Sequence, residues 1–340
     1  MQQFRERSPS PGFMTSTTFP LFPDSAIDVF DGLPALAWRR IDDLGLIQAR
    51  GPEARQFLQS QLSNDAQLVT AEQAQLSGYC SPKGRLLAVF TLGPLEAGDS
   101  FGLELPRELL PPTLKRLRMF VLRSRLQLDD ASDEWPALAV AGRDAEDGLR
   151  RLQLPVPATA LAVASQAGVQ VQRRPGRWPH FRLRAAPERL AALESALSPW
   201  PVLETGQLRL AELLAGVPVV RGGSVEEFVP QTADLDLAGG ISFSKGCYPG
   251  QEIVARVHYL GRLKQRLHLA VCAQPGLPGQ PVVRVGAESG TAGTVMDSAP
   301  LPGGDHLLGL VLPIEQPAGV EWRLGDADGP SLRQLHPARH

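Results

Sequence analysis

The spacing of apolar positions changes several times along the chain, and each change predicts an element. Leu44 to Ala49 reads as a strand. After Gly51 and Pro52, the residues Phe57, Leu58 and Leu62 fall on one helical face, and Ser63, Asn64 and Asp65 end that helix. Gln73 to Cys80 and Arg85 to Leu92 read as two strands joined by the turn formers Ser81, Pro82, Lys83 and Gly84. A helix around Leu109 to Phe120 runs into Val121 to Leu128, where alternation is roughly strand-like.

From Trp135 to Trp200 the pattern repeats in miniature. A strand at Ala137, a helix at Ala145, strands near Val169 and Phe181 and a helix at Pro187 to Leu197 predict a small α+β unit. Gln207 to Ala215 is a further helix, ended by Gly216 and Pro218, and Arg221 to Ser224 is a turn. Beyond Gly261 the chain changes character. Arg262 to Cys272, Gln280 to Val285, Gly290 to Met296, His306 to Val311 and Val320 to Leu324 are short strands between Gly and Pro clusters, which fits a small β-barrel.

Composition narrows the function classes. The 340 residues are 43% hydrophobic and 21% charged, ordinary for a globular protein of two or three packed units. A net charge of -2 offers no global attraction to nucleic acid or anionic lipid. The crowded Lys115, Arg116, Arg118, Arg123 and Arg125 read as a solvated face in preference to a phosphate-binding surface, and direct tRNA binding is not expected. No run of about 18 apolar residues exists and the N-terminus lacks the apolar stretch of a secretory signal, so a cytoplasmic protein without membrane contact is expected. Residues 1–30 mix Ser, Pro, Thr and charge and are expected to form a flexible tail, with Met14 as an alternative start.

The three cysteines, Cys80, Cys247 and Cys272, form no CxxC pair, which argues for reduced thiols and against a zinc ribbon. A cubane cluster usually takes four thiolates, so permanent iron-sulfur ligation does not fit. The six histidines show no metal-ligand spacing, and no metal site is expected beyond transient iron at Cys247.

One segment concentrates chemistry: GISFSKGCYPGQEIVAR, Gly240 to Arg256. Pro249 and Gly250 precede a short helix from Gln251 to His258, with Gly261 past its end. Cys247 then lies just before a helix N-terminus, where the helix dipole and Lys245 would favour its thiolate. Gly246 and Gly250 allow close backbone approach or positive φ. Glu252 and Arg256 are spaced for an i,i+4 pair, worth about 0.3 to 0.5 kcal/mol. Tyr248 serves either as a stacking surface for a flat ligand or as a core anchor. Cys80 and Cys272 sit in strand patterns and read as small buried hydrophobes.

The stretch GGISFSKGCYPGQEIVAR closely resembles the signature of the YgfZ-type folate-binding proteins, relatives of the glycine-cleavage T-protein. FVPQTADLDLAGG at 228–240, AGVP at 215–218 and FLQSQLSNDA at 57–66 support the resemblance, which spans Leu44 to Leu324. It implies an α+β fold with a three-domain, T-protein-like ring architecture and a C-terminal barrel. The domains would be 31–134 with 205–260, carrying the folate, then 135–204, then the barrel at 261–335. It further implies a bound folate, tetrahydrofolate or a derivative, and a role supporting iron-sulfur enzymes, including tRNA-modifying ones. The resemblance makes Cys247 the functional residue, joined by Lys245. Tyr248, Gly250, Gln251, Glu252, Arg256 and Asn64 are expected at the cofactor.

Two departures from the family pattern bear on the activity. T-proteins carry an Asp pair where this chain has Ala88 and Val89 in KGRLLAVF. Aminomethyl transfer, the alternative function, then lacks a charge to steer an iminium intermediate. Many relatives also have a Glu two residues before the glycine of the AG motif, where it accepts hydrogen bonds from the pterin, whereas this chain has Leu214. Glu212 lies two residues away, about 200° around a helix. The leading expectation is therefore a folate-dependent accessory factor whose partners are reduced folate and iron-sulfur enzymes or their assembly proteins.

Overall fold

A computed structural model describes residues 33–96, 98–286, 290–316 and 319–338. The expected tail at 1–30 lies outside the described residues. Among those described, six α-helices accompany three antiparallel sheets of five, five and six strands. The fold is mixed α and β.

The first strand, β1 (Ala37–Ile41), pairs with β7 (Ala137–Ala141) and so joins the sheet of the 135–204 segment, although it precedes β2 (Leu44–Arg50) by two residues. This sheet continues through β10 (His180–Ala185), β9 (Val169–Arg173) and β8 (Val163–Gln166). Alternation along these strands sends Leu138, Val140, Phe181, Leu183 and Val171 to one face. There they meet α3 (Ala145–Arg151) and α4 (Pro187–Leu197) through Leu149, Leu190, Leu193 and Leu197.

The second sheet has the order β3 (Gln75–Cys80), β4 (Leu86–Pro94), β5 (Ser100–Pro106), β2, β6 (Gln127–Asp130). The predicted hairpin is β3 and β4, with a bulge at Tyr79/Cys80. Val121 to Leu128 does not form one strand. Turns follow α2 (Leu110–Arg118), leaving Leu122 at φ +44°, and pairing with β2 begins only at Gln127. The residues of α1 (Ala54–Gln61) and α2 share one core with this sheet, α5 (Thr205–Leu214) and one face of the C-terminal sheet, including Leu267, Leu269, Leu307 and Val311.

The C-terminal sheet runs β15 (Glu321–Leu324), β12 (Pro281–Val285), β13 (Gly290–Pro300), β14 (His306–Pro313), β11 (Gln265–Cys272), β16 (Arg333–Pro337). It curls on itself into a partial barrel. Leu332 N donates to Trp322 O on β15, and β16 then pairs with β11, so one terminal segment reaches both edges. Ala270, Cys272, Leu308, Leu310 and Trp322 form its separate core.

Candidate functional site

The loop that carries Cys247 lies between two anchors. The first is Lys245, whose ammonium donates to the carbonyls of Gln59 and Leu62, each at 2.5 Å, and of Asn64 at 3.2 Å. These oxygens belong to the last turn of α1 and the residues just past it, where a helix leaves carbonyls without partners and favours a cation. The Tyr248 ring covers the same ammonium, 5.1 Å from its centroid. Burial pushes the Lys245 amine down to about 8, against the pull of Asp65, so it is charged at neutral pH. Its three donors serve carbonyls at the end of α1, so Lys245 holds the loop in place.

The second anchor is a contact between two glycines. Gly250 caps α6 (Gln251–Tyr259) with φ +79°, and a Cβ there would stand 2.4 Å from Ser81 O and 2.7 Å from Gly84 Cα. Gly84, in the β3–β4 turn at φ +68°, would in turn drive a Cβ to 2.7 Å from Ile253 Cβ. The close approach that Gly250 permits is thus to the hairpin's own backbone. Farther along α6, the Val254 carbonyl accepts from Gln231 Nε2 at 2.6 Å.

Ser63 and Asn64 tie the third side. Ser63 Oγ accepts from Gly78 N and donates to Gly240 O, both at 2.7 Å. Asn64 Nδ2 donates to Leu76 O and Gly239 O, both at 2.8 Å, while its Oδ1 accepts from Asp65 N. The Asn64 amide is committed to backbone, which explains how the SND segment and the loop after Gly239 meet.

Between these anchors Cys247 is exposed, whereas Cys80 and Cys272 are buried. Burial pushes the Cys80 thiol up to about 12, which keeps it protonated and unreactive. Tyr248 is buried beneath the loop, and burial, with Cys80 nearby, raises its phenol above the ordinary range. Its place is that of an anchor. Gln251 is half-buried, and Glu252 and Arg256 are exposed on α6. The i,i+4 pair is corrected: among the described residues no ion pair joins Glu252 to Arg256. Beside the loop, Phe243 stacks on His258 at 3.7 Å between centroids, with Tyr259 edge-on to both. That aromatic group was missed at the sequence level, because Phe243 and His258 lie fifteen positions apart.

The remaining expected positions fall elsewhere. Ala88 and Val89 are buried on opposite faces of β4 and offer only carbon. Leu214 packs in the central core, and the Glu212 carboxylate is held by Arg174 Nη2 at 2.9 Å. The pterin carboxylate is therefore not available at 214, and the one at 212 is engaged. In the basic stretch, Arg118 pairs with Asp129 at 3.1 Å and Arg125 with Glu53 at 2.7 Å. Among the described residues no group of three or more His, Cys, Asp or Glu gathers to hold a metal, and no helix is long and apolar enough to cross a membrane.

Replacing Lys245 with Met separates anchoring from electrostatics. The variant leaves three carbonyls without their donor and is expected to cost about 2 to 4 kcal/mol by chemical denaturation. In the folded variant, the alkylation rate of Cys247 at neutral pH is expected to stay within about twofold of the parent. A tenfold drop would restore the electrostatic role.

Three antiparallel sheets with a curled C-terminal one define the fold class of the glycine-cleavage T-proteins. The aminomethyltransferase T structure from Bartonella henselae superposes with a TM-score of 0.69, at 17% identity, over 89% of this chain and 85% of its own. Sequence comparison narrows the class. The tRNA-modifying protein YgfZ of Vibrio vulnificus is 30% identical over 248 residues, 72% of this chain and 74% of the relative, and the chain belongs to that family. Its namesake in Photorhabdus laumondii is 28% identical over 305 residues, 86% of this chain and 89% of its own. No family model matches.

Proposed function

We propose that this protein is a cytoplasmic, folate-binding accessory factor that supports iron-sulfur cluster assembly or repair in client enzymes, including ones that modify tRNA. The observation that carries the reading is an exposed thiol on a loop pinned at both ends, by Lys245 under α1 and by Gly250 against the hairpin turn. A thiol with no structural role, presented on a rigid support, is free to act on a partner. Its relatives' name, tRNA-modifying protein, fits clients among tRNA-modifying enzymes.

Cys247 can act in two ways, neither needing a second cysteine of this chain. As thiolate it supplies one ligand to iron of a cluster in transit. It can equally attack a disulfide sulfur of a client or small thiol: the new S–S bond forms as the old one breaks, and the other sulfur leaves as thiolate. Folate is assigned no part in these steps, which need only the thiol. Aminomethyl transfer is disfavoured because Ala88 and Val89 offer only carbon.

Two measurements test the reading. In cells lacking this chain, the activity of iron-sulfur enzymes is expected to fall and to return when the chain is restored; unchanged activity on its loss removes the proposed role. Anaerobic calorimetry with tetrahydrofolate is expected to give saturable binding. No heat at high micromolar ligand would remove folate and leave the thiol.

A further inference from the structure

The seam between the first two sheets holds a cluster of ionised side chains that the thiol chemistry does not use. Along β10 the pattern His180, Arg182, Arg184 alternates with Phe181 and Leu183, so the strand buries hydrocarbon on one face and guanidinium on the other. Opposite stands Glu104 of β5, which alternates in the same way with Leu103 and Leu105. Arg182 Nε lies 3.0 Å from a Glu104 oxygen, Arg184 bonds the same carboxylate, and Arg174 stands 3.5 Å from it. Arg174 also holds Glu212 of α5 and donates to Thr91 Oγ1 at 2.9 Å.

The charges do not balance. Among the described residues, Glu104 and Glu212 are the carboxylates within ion-pair reach of these three arginines. Burial pushes His180 down to about 4, against Glu212, so it adds no charge at neutral pH, but neither does it remove any. Burial alone would raise the Glu104 carboxyl, yet Arg182, Arg184 and Arg174 outweigh it and hold it at about 2. Three guanidiniums against two carboxylates leave one positive charge, and Arg174, Arg182 and Arg184 are all at most 8% exposed. An uncompensated buried charge is costly, since low polarity around it cannot replace hydration.

A cavity lies at the same place. It measures about 20 Å³ and is bordered by Thr91, Gly93, Glu104, Gln172, Arg182 and Arg184. Gly93 and Gly102, paired across β4 and β5, both border it, and a Cβ on Gly93 would meet Ala74 Cβ at 3.1 Å and Gln172 Nε2 at 3.6 Å. The N–H of Arg182 Nε, though close to Glu104, is not directed at it and has no hydrogen-bond acceptor. Donors, surplus charge and room for one atom coincide.

We propose that this cavity binds one small monovalent inorganic anion of halide size, held by the Arg182 and Arg184 guanidiniums and neutralising the seam. A water molecule would fill the same volume but leave the charge. The anion neutralises charge buried between the two sheets, so its binding stabilises their packing by mass action. The thiol chemistry of Cys247 makes no use of this site.

Crystals of the full chain equilibrated with sodium bromide test this directly. A bromine anomalous peak in the cavity between Arg182, Arg184 and Gln172 is expected; density there without anomalous signal, or none, overturns the proposal. In solution, thermal unfolding is compared in sodium chloride and sodium gluconate at equal ionic strength, gluconate being too large for the cavity. Chloride is expected to raise Tm saturably by about 2 °C or more. In Arg182→Gln, which leaves the cluster neutral, that difference is expected to vanish. Equal Tm values in both salts for the parent chain, or an undiminished chloride effect in Arg182→Gln, would count against the site.

Discussion

Cells carrying Cys247→Ala as their only copy are expected to lose support of iron-sulfur enzymes as fully as cells without the chain, while the purified variant folds normally. The stability half follows from exposure. An exposed side chain contributes little to stability, and its truncation should lie within about 0.5 kcal/mol of the parent. The functional half follows from chemistry, since alanine can neither ligate iron nor attack a disulfide. Enzyme activity in extracts and denaturant midpoints of the purified protein are the two readouts. A variant with normal stability and normal client activity would move the function away from the thiol.

Gly250→Ala is expected to have the largest effect on the site's architecture. Its φ of +79° costs an L-residue roughly 1 to 2 kcal/mol, and the new methyl would meet Ser81 O at 2.4 Å, a backbone atom that cannot swing aside. Overpacking of this kind adds about 1 to 3 kcal/mol, so a total loss of about 2 to 5 kcal/mol in chemical denaturation is expected. Because the strain falls at the junction of loop and hairpin, Cys247 should also be displaced and client support reduced. A loss under 0.5 kcal/mol would mean that the loop does not rest on the turn as described.

Much of this organisation is legible in the residues. The hairpin could be read because Ser81, Pro82, Lys83 and Gly84 leave the chain few alternatives to a turn, and α6 because Pro249 and Gly250 precede an apolar period ended by Gly261. The strand Ser100–Pro106 escaped, because Gly102 and Glu104 look like solvent-facing positions when in fact the second face of that strand is covered by the arginines of β10. Val121 to Leu128 shows an opposite failure. Local alternation suggested a strand, while the geometry of the turn after α2 delays pairing to Gln127.

The candidate site divides in the same way. Cys247 stands out in sequence because polar residues and glycines crowd around it; the structure gives Lys245, Tyr248 and Gly250 anchoring roles and leaves Cys247 as the exposed thiol. The part played by Lys245 could not be read from its neighbours: the acceptors for its ammonium come from residues more than 180 positions upstream. Sequence places that charge two residues from the thiol, and only tertiary packing reveals its acceptors at the end of α1. The arginines of the seam are a comparable case. Their alternation with Phe181 and Leu183 was visible, but only the facing Glu104 shows that both sides of the strand are buried.

The central claim is that a single thiol, Cys247, does the chemistry. It is tested most directly by a chain carrying Cys80→Ala and Cys272→Ala, which keeps Cys247 as its sole cysteine, expressed in cells lacking the parent. Given retained folding, checked by thermal unfolding, the account predicts client iron-sulfur enzyme activity equal to that with the parent chain. Loss of that support in a folded single-cysteine chain would contradict it, because a buried thiol would then be required.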